Sequence, residues 1–63
     1  MTQKAFDKAR EARRAREIRE TAETLVEDRG RANALAWAEH CATRDPAGGF
    51  WRAVWITIDE AGR

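Results

Sequence analysis

Serine and tyrosine are absent from this chain of 63 residues, and histidine, cysteine, methionine and proline occur once each. Each gap closes off a class of function. His40 and Cys41 are neighbours, and on a helix they project about 100° apart, so they do not converge as base and nucleophile. The four glycines form neither a P-loop nor a dinucleotide-binding pattern. No catalytic residue is assigned, and an enzyme is not expected. The stretch Glu39, His40, Cys41 with Asp45 offers too little for a metal site, and Glu20, Glu23, Glu27 and Asp28 read as a solvated face. No metal or cofactor is therefore expected. A lone Cys41 allows no internal disulfide and gives no sign of an oxidising compartment. No apolar run approaches the roughly 18 residues of a membrane span. The opening MTQKAFDKAREARR lacks the apolar core of a secretory signal. The expectation is a cytoplasmic protein of bacterial type with no membrane role.

Large apolar side chains are also scarce. The hydrophobic share is 43%, but 13 of those residues are alanine, which buries little area. So short a chain is one domain at most and buries only about 60% of its unfolded surface. Three tryptophans, Trp37, Trp51 and Trp55, would together remove on the order of 600 Å² from water, and they are the expected core pieces. A homodimer sharing its core would ease the shortage.

What is present is helical patterning and a split of charge. Residues 1–19 hold seven Lys or Arg against three acids, and residues 20–63 hold five against eight. The chain thus reads as a basic arm on an acidic body. Gly30 and the stretch RDPAGG from Arg44 to Gly49 divide it. The fold expected is all-α: a compact three-helix domain over 15–63, with helices at about 15–29, 31–44 and 46–61. A basic, helical but frayed extension over 1–14 precedes it. Ala15, Ile18, Ala22, Leu25 and Val26 form the first apolar stripe, closed by Gly30 as a left-handed cap. Ala34, Trp37, Ala38 and Cys41 form the second, with Leu35 and Ala42 on its flank. Asp45-Pro46 reads as cap and first residue of the third helix, whose stripe is Ala47, Trp51, Val54, Trp55 and Ile58. A strand over the aromatic and β-branched FWRAVWITI is the rival reading, but the chain offers no second strand to pair with it.

Phe50 and Ile56 lie off the third stripe, so a monomer would leave at least one of them partly exposed. They are the candidate protein-interaction surface. The function expected is that of a small helical interaction or regulatory protein, binding a protein partner or itself. The alternative is nucleic-acid binding through the arm, where Lys4, Lys8, Arg10, Arg13, Arg14, Arg16 and Arg19 would neutralise phosphates without reading sequence. Against it, these cations surround the helix axis, and the body behind them is acidic. A helix-turn-helix reading fails as well, because the segment after Gly30 presents mostly alanine to a groove.

The run Ile18, Ala22, Leu25, Val26, Gly30, the alanine-dense segment holding Ala34 and Ala38, the Asp/Gly break and the closing Trp51-to-Val54 pattern resemble short bacterial helical proteins grouped as a domain of unknown function. The resemblance covers about residues 16–60 and leaves the basic arm unmatched. It implies a compact helical fold in the bacterial cytosol and no activity, cofactor or site residue.

Overall fold

The computed structural model describes residues 2–62, with side chains from Asp7 onward. Three helices follow one another: α1 (Thr2–Arg29), α2 (Arg31–Arg44) and α3 (Phe50–Ala61). Each packs on the other two, and no strand occurs among the described residues. The segment FWRAVWITI is helical throughout.

α1 continues back to Thr2 without a break, so the basic segment and the first core helix share one axis. The helix holds 28 residues, about 42 Å at 1.5 Å per residue, and the molecule measures 43 × 22 × 19 Å. α2 and α3 have 14 and 12 residues, or about 21 and 18 Å. They flank only the C-terminal half of α1.

A single residue, Gly30, turns the chain from α1 into α2. Its backbone lies at φ 82°, ψ 159°, which differs from the left-handed helical cap expected from sequence. This more extended positive-φ region is essentially closed to side-chain-bearing residues. The corner keeps its hydrogen bonds. The Gly30 N–H donates to the Val26 carbonyl, and the Gly30 carbonyl accepts from Ala34, both at 2.9 Å. The Asn33 amide donates to the Arg29 carbonyl at 3.0 Å, which serves one of the carbonyls orphaned at the end of α1.

The third helix begins at Phe50, four residues later than Asp45-Pro46 suggested. Asp45 instead closes α2, its N–H donating to the Cys41 carbonyl at 2.9 Å. Glycine costs about 1 kcal/mol in a helix relative to alanine, and two of them, Gly48 and Gly49, occupy what would have been the first turn. The helix starts where that cost ends. Gly49 is its N-cap, at φ 69°, ψ 0°. Ala47 falls outside α3 and is exposed, so it leaves the expected stripe.

The core is made of Ala22, Ala34, Ala38, Val54 and Ile58. Ala34, Ala38 and Val54 are fully buried, and Val54 and Ile58 are the largest side chains at the centre. Ile18, Leu25, Leu35, Phe50, Trp51 and Trp55 pack around this nucleus, half-covered. Alanines at the crossing bring the helix axes close and leave no room for an indole between them. Trp51 and Trp55 therefore sit at the rim. Trp37 departs further from expectation: it is 39% exposed and outside the core. On α2 the buried positions are Ala34 and Ala38, and Leu35, Cys41 and Ala42 are half-buried. The inward face is thus rotated away from Trp37.

Candidate interaction surface

Ile56 is two residues from both Val54 and Ile58, and two residues on a helix are about 200° of rotation. Burying those two therefore turns Ile56 outward, and it is 40% exposed. Beside it the half-buried Trp55 lines an open cleft of about 420 Å³ between α2 and α3. Ala42 of α2 and Pro46 of the connecting loop complete its apolar lining. Glu39 and Asp45 supply negative charge along the cleft, and Arg52 supplies positive charge from α3. The Thr43 hydroxyl is turned back onto the Glu39 carbonyl at 2.9 Å.

Phe50 does not share this surface. It is the first residue of α3, one turn before Val54, and packs half-buried against the core. Its ring meets that of Trp51 edge-to-face, centroids 5.4 Å apart at 80°. Of the two residues singled out off the stripe, Ile56 is the surface residue and Phe50 belongs to the margin of the core.

Trp37 lies at the corner between α1 and α2. The Arg29 guanidinium carbon stands 4.6 Å from the ring centroid, a cation–π contact. The His40 ring is 6.0 Å away, tilted by 37°. No local pattern links Arg29 to Trp37 in the sequence; the angle set at Gly30 brings them together. The charged lining of the cleft escaped sequence reasoning for the same reason, since Glu39 and Arg52 meet only through the packing of α2 on α3.

The basic residues of α1 are not gathered into a site. Lys8, Arg10, Arg13, Arg16 and Arg19 are exposed, while the side chain of Lys4 lies outside the described residues. Arg14 is engaged: it faces the loop before α3 and donates to the Gly48 carbonyl. Arg31 has a similar task at the other end of the bundle. It donates to the Asp59 carbonyl at 3.3 Å, with the Asp59 carboxylate 3.8 Å away. Among the described residues, no group of His, Cys, Asp and Glu is arranged to hold a metal ion. No described helix is long and apolar enough to cross a membrane.

No protein-family model, curated protein or solved structure matches the chain.

Proposed function

We propose that this is a non-enzymatic, cytoplasmic interaction protein that receives an apolar segment of a protein partner in the cleft between α2 and α3. The observation that carries this reading is Ile56, held outward beside Trp55 by the burial of Val54 and Ile58. Tryptophan is enriched among the residues that dominate binding energy, and Trp55 lines the cleft. Glu39 and Asp45 favour a partner segment carrying basic residues next to its apolar one, and Arg52 would orient it. The non-enzymatic part is supported by the separation of the two reactive side chains. His40 is exposed beside Trp37, and Cys41 is half-buried. The unpaired Cys41 also suits a reducing compartment.

The test compares proteins retained from a host extract by the wild-type chain, by Ile56→Ser and by Trp37→Ser, with helicity followed by circular dichroism. A protein held by wild type and Trp37→Ser, but lost from an equally helical Ile56→Ser, is the expected result. Retention indifferent to Ile56, or no retention at all, overturns the reading.

A second reading, phosphate binding along the arm, is favoured by one observation: α1 carries Lys8, Arg10 and Arg13 beyond the acidic body. It requires that a short duplex be retained in low salt and released as salt rises.

A further inference from the structure

The outward side of α1 carries charges in a particular order. Ala9, Arg13, Arg16, Glu20, Glu23 and Glu27 follow one another at steps of four and three residues, which keeps them on one side of the helix. All six are exposed, and the row runs opposite Ile18, Ala22 and Leu25, which face the core. The cations occupy its N-terminal half and the acids its C-terminal half. Arg13 and Glu23 lie at equal distances on either side of Ile18, and so do Arg16 and Glu20. Arg16 and Glu20 are also one turn apart, a spacing that permits an ion pair within one helix. Among the described residues, however, none of these four is in an ion pair or side-chain hydrogen bond. The same helix is short of cover: Asp7 through Glu17 are exposed without interruption, and an isolated helix of about 12–15 residues is marginal in water.

We propose that this face of α1 binds α1 of a second copy, antiparallel, about a two-fold axis that passes outside the charged row at the level of Ile18. A two-fold axis makes the contact self-complementary. Arg13 of one copy meets Glu23 of the other, Arg16 meets Glu20, and each pair is formed twice. A parallel pair would set like charge against like, so the order of the row selects one orientation. The N-terminal half of α1, which has no helix of its own chain beside it, then lies along the partner's C-terminal half. Exposed ion pairs are individually weak and are screened by salt, so the dimer belongs to low ionic strength and loosens as salt rises. The contact is separate from the cleft at Ile56 and does not depend on the function proposed for it.

The experiment is sedimentation of the full chain over a concentration series, at about 50 and about 300 mM salt. Wild type is compared with the pair Arg13→Glu, Arg16→Glu, and with the fourfold exchange that adds Glu20→Arg and Glu23→Arg. The wild-type dissociation constant should rise at least about tenfold between the two salts. The arginine pair alone should weaken the dimer at least about tenfold, and the fourfold exchange should restore it, because the mirrored order is re-created at unchanged net charge. Circular dichroism confirms that each variant remains helical, and Ile56→Ser should dimerise as wild type does. A wild-type chain that stays monomeric at low salt overturns the proposal. So does a dimer indifferent to the arginine pair, or a helical fourfold variant without rescue. If wild type stays monomeric but retains a short duplex that the arginine pair releases, the face serves nucleic acid and the proposal is likewise overturned.

Discussion

At Gly30 the backbone occupies φ 82°, ψ 159°, and nothing stands within 4 Å of where a Cβ would project. Strain, with no steric neighbour involved, therefore decides what a substitution does there. Gly30→Ala should lose about 1–3 kcal/mol, read as a drop in urea or thermal midpoint. Gly48 is the control. It also has open space around its Cβ position, and its φ is not positive, so Gly48→Ala should be neutral or stabilise by up to about 1 kcal/mol. The same measurement separates centre from rim. Ile58, 2% exposed, should cost about 2–5 kcal/mol on truncation to alanine. Trp37→Ala should cost closer to 1 kcal/mol, the scale of an exposed cation–π contact, although it removes the larger side chain. Ala34→Leu should destabilise by about 1–3 kcal/mol, because a fully buried alanine at a helix crossing leaves no space for extra carbons.

Among the helices, local pattern carried most of the assignment, and it failed where two local rules competed. The stripe of α1 was legible in its middle, where Ile18, Ala22 and Leu25 repeat at helical spacing and turn inward, whereas Ala15 and Val26, expected in the same stripe, are exposed. At α3 the Asp45-Pro46 start signal was outweighed by the helix cost of Gly48-Gly49, and sequence offers no scale for ranking the two. Trp37 misled because a periodic pattern shows which residues share a side, but not how the helix is rotated within it. Two small residues, Ala34 and Ala38, set that rotation by letting the neighbouring helices in. Of the candidate surface, Ile56 was legible as the residue off the stripe. Its charged surroundings were not, since Glu39, Asp45 and Arg52 converge only in the folded chain. The ends of the helices are tied by arginines, which leads to a prediction at this scale. A Cβ on Gly62 would collide with the Arg31 guanidinium. Gly62→Ala should therefore displace Arg31 from Asp59 while lowering stability by less than about 1 kcal/mol, as befits an exposed ion pair. Adding Arg31→Ala to it should cost nothing further in a double-mutant cycle.

The whole molecule is a short bundle with a rod reaching out of it. Residues 7–13 are exposed, and among the described residues the first hydrogen bond from α1 back to the body is that of Arg14 on Gly48. Removing residues 1–13 should thus leave the thermal midpoint of the bundle unchanged when measured at low concentration. Helical ellipticity should fall only in proportion to the residues removed. A midpoint that collapsed with the deletion would mean that the rod is part of the fold. Length and attachment also have a mechanical meaning. The projecting part, residues 2–13, is about 18 Å of helix, and it works as a lever arm with its fulcrum where α1 enters the bundle. A load on the arm is met first by the Arg14 guanidinium on the loop before α3 and then by Ile18, packed against the core. The base of the arm and the mouth of the cleft thus share one short stretch of chain, Asp45 to Gly49, as a common anchorage.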